Sequence, residues 1–221
     1  MKTFRNAAAK AGSRQVANAK ARDEGALRRE PCANHVVHFY DEHHALADNA
    51  CAFLAGGLLR GAPAVVIVAA DRRDLFCTRL SQMGIDLVRA TGSRQLVMLD
   101  AEETLERLLV DGAPNEAHFR EVIAAQIAGL IEIWRPSRLH AYGDMVDVLF
   151  ARGQQDAAIG LEALWDELAS RLDFSLYCAY DGRQLAKEND RAAFDAVCRY
   201  HGQIVPMAGV GTGNEGAQPM A

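Results

Sequence analysis

The chain lacks the motifs that mark the commonest catalytic machinery. Its 221 residues include only four lysines (Lys2, Lys10, Lys20 and Lys187), and none follows a glycine. A phosphate-binding Gly-x-x-x-x-Gly-Lys-Ser/Thr loop is thereby excluded. No Gly-x-Ser-x-Gly elbow occurs, which removes the usual hydrolase nucleophile. The five cysteines, Cys32, Cys51, Cys77, Cys178 and Cys198, are odd in number and contain no Cys-x-x-Cys. Zinc ribbons and thioredoxin-like chemistry need that spacing, so a reducing cytoplasm is the expected compartment. No apolar run approaches the roughly 20 residues that span a bilayer. The longest, 62–70, has the length of a core strand. The N-terminus also lacks the apolar stretch of a secretory signal peptide.

Half of the residues are hydrophobic and 24% are charged, with a net charge of -5. That balance suits one soluble α/β domain large enough for a continuous core. Charge is unevenly placed. Residues 1–34 carry eight basic and three acidic side chains, which leaves about -10 on the rest. The globular part is thus a poor nucleic-acid surface. We expect a basic tail at 1–33, disordered or loosely helical, one domain at 34–208, and a flexible glycine-rich tail at 209–221. Gly211 to Gly216 fit Gly-x-Gly-x-x-Gly, but no strand–helix unit surrounds them, so the match carries no weight.

Strand-like and helix-like segments alternate through the domain. His35 to Tyr40 is short, β-branched and aromatic, and Leu46, Ala50, Phe53, Leu54 and Leu58 then recur at helical spacing. Ala64 to Ala70 reads as a fully buried strand, followed by a helix capped by Asp71 and carrying Leu75, Phe76, Leu80 and Met83. A strand at 95–100 and a short helix at 101–110 precede the break at Asp111-Gly112-Ala113-Pro114. Phe119 to Trp134 has a clear helical period, and a strand at 138–142 leads into Gly143-Asp144-Met145. A helix bearing Leu161, Leu164, Trp165, Leu168 and Leu172 follows. The strand 174–180, a helix near 190–201 and an edge strand at 203–207 complete the pattern. Alternation of this kind predicts a three-layer α/β fold, a mostly parallel sheet with helices on both faces.

In such sheets ligands bind beyond the carboxyl ends of the strands. Met145 to Phe150 is largely apolar and prolongs the buried character of the strand before it, while Asp144 could equally cap a following helix. Tyr40, Tyr142 to Asp144 and Tyr180 are expected to meet there, giving aromatic walls and one carboxylate. That is a pocket for a small, partly apolar molecule with no evident catalytic pair. His35 and His38, three apart on a strand, point to opposite faces, with His38 sharing the face of Tyr40. His38, His43 or His44 with Asp144 could build a metal site, but hydrogen-bonded or solvated histidines are the expected reading. Cys178 reads as packing in a buried strand.

The order of elements resembles the RecA-like ATPase core, particularly the KaiC branch, with Tyr40-Asp41-Glu42-His43-His44 where the phosphate loop would stand. More specifically, the chain resembles the MEDS family, the methanogen/methylotroph DcmR sensory domain. The likeness rests on His35 with Phe39-Tyr40, on Gly143-Asp144-Met145, on Cys178, Tyr180 and Asp181, and on His201. It also includes the run 61–69 and spans roughly 34–209. Family members often carry glutamate where this chain has Asp144. The resemblance implies a degenerate RecA/KaiC-like core and a non-catalytic sensor of small hydrocarbon derivatives, working in signal transduction or transcriptional regulation. Taken with the strand-end crevice, the residues expected at the ligand are His35, His38, Tyr40, Tyr142, Asp144, Tyr180 and His201, with no cofactor and no metal expected. With no attached output module in view, the expected partner is a separate histidine kinase or transcription or sigma-factor regulator. A homodimer is compatible with the sequence. The alternatives are an enzyme, namely a metal-assisted hydrolase or a nucleotide-using relative, and a pure interaction module docking through its basic tail.

Overall fold

The computed structural model describes residues 34–187 and 191–205. The expectations for both tails fall outside those residues. The β-branched and aromatic runs form strands, and each returns through a helix. In chain order these are β1 (His35–Tyr40), α1 (His43–Leu58), β2 (Ala64–Val68), α2 (Ala70–Gln82), α3 (Leu87–Gly92), β3 (Leu96–Asp100) and α4 (Ala101–Leu108). Then come β4 (Leu109–Val110), β5 (Ala113–Pro114), α5 (116–133, with a π-helical turn at Arg120–Ala124), β6 (Leu139–Gly143), α6 (Met145–Ala151) and α7 (Gln155–Ala169). β7 (Phe174–Asp181), α8 (Gly182–Lys187), α9 (Arg191–Cys198) and β8 (Gln203–Val205) follow.

Six strands make one parallel sheet in the order β3-β2-β6-β7-β1-β8. Helices cover both faces, as alternation requires, since a parallel sheet has no solvated side. Val65 and Ile67 pack on one face and Ala64, Val66 and Val68 on the other, and all five are buried. The first core layer joins α1, α2 and α3 to Tyr40, Tyr142 and Tyr177. The second joins α4 to α7 and α9 to Val37, Leu176, Cys178 and Tyr180. β4 and β5 form a small antiparallel hairpin whose Asp111 and Gly112 both have positive φ (51° and 76°). Asp-Gly is the pair that tolerates such a two-residue turn. Among the described residues, no helix is long and apolar enough to cross a membrane.

Two local expectations need correction. The apolar run after Asp144 forms the buried helix α6, as the strand-to-helix alternative has it, but the Asp144 side chain does not cap that helix. An apolar run of six does not by itself distinguish a core strand from a core helix. Asp71 does not cap α2, because that helix begins one residue earlier, at Ala70. The carboxylate that serves its amino end comes from elsewhere in the chain.

Candidate functional site

That carboxylate is Asp144. It occupies the residue before α6 yet makes no capping bond to α6. Instead it reaches across to the next strand end and accepts the Ala69 N–H with both oxygens, at 3.1 and 3.2 Å. Arg72, on the first turn of α2, lies over the same strand ends and is only 7% exposed. Its Nη1 stands 3.0 Å from Asp147 Oδ2 and 3.3 Å from Asp144 Oδ2, and donates to the Tyr40 hydroxyl at 3.2 Å. Tyr40 in turn donates to Asp147 Oδ2 at 2.6 Å, and Asp147 Oδ1 accepts the Asp181 N–H at 2.8 Å. One charged network thus ties the ends of β1, β2, β6 and β7 to α2 and α6. Burial pushes Asp144 up to about 7, against the opposing pull of Arg72 and the Ala69 amide. Burial also works against the charge on Arg72, but Asp144, Tyr40 and Asp147 outweigh it and keep the guanidinium protonated.

The expected open crevice is therefore occupied by the chain's own guanidinium. Tyr40 and Asp144 do come together there. Tyr180 does not join them, because its ring faces the second core layer, where its hydroxyl donates to Glu162 at 2.7 Å. The alternation of side chains along a strand decides this: Tyr40 and Tyr177 face α1, whereas Tyr180, an odd number of residues from Tyr177, faces α7.

On the α1 face the network continues into a row of rings. His38 lies 6.4 Å from Tyr40 and 6.0 Å from Tyr177, and Tyr177 lies 6.2 Å from Tyr142. Phe53 and Phe76 close the row from the helices, at 5.3 Å from Tyr177 and 4.8 Å from Tyr142. Three polar atoms in this row, His38 Nδ1, Tyr142 Oη and Tyr177 Oη, are buried with no hydrogen-bond partner among the described residues. Burial lowers the His38 pKa, so its ring is held neutral, and raises those of both tyrosines.

On the opposite face a second polar cluster sits inside apolar packing. His35, Glu162, Cys178 and His201 are all buried, and one donor atom from each lies within 4.8 Å of the others. Glu162 Oε2 is 3.5 Å from His35 Nε2, 3.6 Å from His201 Nε2 and 3.9 Å from Cys178 Sγ. His35 Nε2 lies 3.3 Å from the same sulfur, and the two imidazoles are 4.0 Å apart. Burial pushes Glu162 up to about 8 and His201 down to about 4, so both rings are neutral.

The seven sequence-selected residues thus divide: His38, Tyr40, Tyr142 and Asp144 on one face, His35, Tyr180 and His201 on the other. The set considered for a metal does not assemble, because His43 and His44 are exposed and Asp144 is held by Ala69 and Arg72. Arg72, Asp147 and Glu162 were missed. Asp147 and Glu162 had a signal, each a lone carboxylate within an apolar run; Arg72, among Asp71, Arg73 and Asp74, had none.

Comparison with known proteins gives two findings. Residues 34–202 match the family model described as MEDS, the MEthanogen/methylotroph, DcmR Sensory domain. Among solved structures, the chain is similar to an uncharacterized protein from Pyrococcus horikoshii, crystallised in complex with an unknown peptide. The TM-score is 0.58 at 10% identity, covering 78% of this chain and 77% of that one. At that identity the likeness shows a shared fold. No curated protein matches the sequence.

Proposed function

Because the chain belongs to the MEDS family of sensory domains, we propose that it is a non-catalytic receptor for a small, partly apolar molecule. The ligand lies along the row His38, Tyr177 and Tyr142 and ends against the Arg72–Asp144–Asp147 network. One observation carries this reading, the three orphaned polar atoms on adjacent rings of a single face. A buried polar group without a partner costs about 1–3 kcal/mol, and native interiors seldom keep three side by side. A molecule with a hydroxyl, carbonyl or halogen and a short carbon skeleton would satisfy them while its carbons meet Phe53 and Phe76. It would enter where α1 and α2 begin. The network is the readout: four strand ends and two helices meet in it, so a ligand that favours one arrangement of Arg72 shifts several segments together. The response passes to a separate protein, a kinase or a regulator of transcription.

Thermal-shift measurements of the full chain against small alcohols, ketones, halocarbons and simple aromatics test the reading. A stabilising compound is expected, with its shift reduced in Tyr142→Phe and Tyr177→Phe. No stabilisation across such a panel, with sustained ATP turnover instead, would favour the enzyme alternative.

A further inference from the structure

We propose that His35, Glu162, Cys178 and His201 bind one divalent transition-metal ion of the zinc class, buried between the sheet and α7. The site lies on the face opposite the aromatic row, so it stands or falls independently of the small-molecule reading.

The spacing is the first argument. Glu162 Oε2 faces three groups at 3.5, 3.6 and 3.9 Å. These distances are too long for good hydrogen bonds to nitrogen, yet the atoms are buried and converge. Tetrahedral zinc binds nitrogen and oxygen at about 2.0–2.1 Å and sulfur at about 2.3 Å, which sets ligand atoms roughly 3.3–3.6 Å apart. Four of the six pairs of donor atoms, at 3.3, 3.5, 3.6 and 3.9 Å, lie at or near those edges, and all six lie within 4.8 Å. A hydrogen-bonded carboxylate would draw its partners closer, as its other oxygen does with Tyr180 at 2.7 Å.

Supporting contacts around the cluster orient the donors. His201 Nδ1 lies 2.8 Å from the Val197 carbonyl and donates to it, which leaves the Nε2 lone pair facing the cluster. The Tyr180 hydroxyl fixes Glu162 through Oε1 and leaves Oε2 free to bind. Metal-binding histidines and carboxylates are held in this way.

Charge is the third argument. A thiolate and a carboxylate bring two negative charges and the neutral imidazoles none, so a divalent ion leaves the buried site neutral. No arginine or lysine is paired with Glu162 among the described residues, so without a cation burial keeps its carboxyl protonated. A set of two nitrogens, one sulfur and one oxygen suits zinc and cobalt over the hard cations magnesium and calcium. Four protein donors and a buried setting also describe a closed site with no place for a reactive water. The ion would clamp β1, β7, α7 and the segment after α9, and its uptake would release the protons of Cys178 and Glu162.

The test uses the full chain without a polyhistidine tag, stripped with chelator and titrated with cobalt(II). One equivalent should bind, giving a near-ultraviolet thiolate-to-cobalt band and the visible bands of tetrahedral cobalt, both bleached by zinc. Cys178→Ser should lose the thiolate band, and Cys198→Ser, outside the cluster, should keep it. Should Cys178→Ser fail to fold, Tyr180→Phe serves, since loss of a group that holds a ligand weakens binding about 10–100-fold. No tetrahedral cobalt spectrum in the unsubstituted chain would overturn the proposal. So would a spectrum and affinity unchanged in Cys178→Ser and Tyr180→Phe, because the ion would then lie elsewhere.

Discussion

Replacing Tyr142 by phenylalanine should make the ligand-free protein more stable. Loss of a tyrosine hydroxyl ordinarily removes a hydrogen bond and destabilises the fold. The Tyr142 hydroxyl has no partner among the described residues and is fully enclosed beside Asp144 and Arg72. Its burial costs about 1–3 kcal/mol, and the phenylalanine ring keeps the contact with Phe76. Taking the lower end, a gain of about 1 kcal/mol raises Tm by roughly 2–4 °C for a domain of this size. Tyr40→Phe is the internal contrast. That hydroxyl donates to Asp147 at 2.6 Å and accepts from Arg72 at 3.2 Å. Bonds to charged groups are worth about 1.5–3 kcal/mol, so a loss of about 2 kcal/mol should lower Tm by roughly 4–8 °C. Urea unfolding of both variants, without added ligand, gives the comparison. If Tyr142→Phe destabilises as much as Tyr40→Phe, the hydroxyl has a partner, and the reasoning for the aromatic row fails.

Arg72→Leu should destabilise by about 3–5 kcal/mol, because it strands two buried carboxylates without their cation; adding Asp147→Asn should restore part of that loss in the same urea assay. The raised pKa of Asp144 sets a pH dependence. The folded protein holds a proton up to about 7 that the unfolded chain releases in the ordinary carboxylate range. Its contribution is therefore fully present at low pH and lost as pH rises towards 7, at no more than about 1.4 kcal/mol per pH unit. Asp144→Asn should flatten the stability profile between pH 5 and 7, and parallel profiles would contradict this. Gly57→Ala should destabilise although alanine is the better helix former, since its Cβ would lie 2.5 Å from His140 Nδ1. Gly129→Ala, with nothing within 4 Å, should instead stabilise by about 0.5–1 kcal/mol, both read by thermal melts.

Periodicity made most of the fold legible. The five longer strands and the helices at 43–58, 116–133 and 155–169 follow from apolar spacing. Helix α6 was legible only as one of two alternatives, because every residue from Met145 to Phe150 is buried and no polar face marks its period. The site was legible only in pieces. Alternation along β1 put His38 beside Tyr40, but no rule within a single strand tells which neighbours a side chain will meet on its face. Arg72 comes from α2, Asp147 from α6 and Glu162 from α7, and pairings at that sequence distance need the sheet order. The register of β1 on β7, with Val37 opposite Cys178, carries His35 towards the sulfur.

The two polar clusters answer different physical demands. On the α1 face, Arg72 supplies the positive charge that Asp144 and Asp147 need, and the unsatisfied groups beside it are neutral hydroxyls and an imidazole. That combination favours an uncharged guest with one or two polar atoms over an ion. On the α7 face no arginine or lysine approaches Glu162 among the ion pairs of the described residues, and its neighbours are lone-pair donors. That combination favours a cation. Among the described residues, neither cluster pairs a nucleophile with a base in reach of solvent; Cys178 is buried and its thiol is pushed up by burial and by Glu162. β1 and β7 contribute side chains to both clusters, so an ion held on one face would stiffen the strands that carry Tyr40 and Tyr177 on the other. If both sites exist, zinc should therefore tighten small-molecule binding, and by linkage the small molecule should tighten zinc by the same factor.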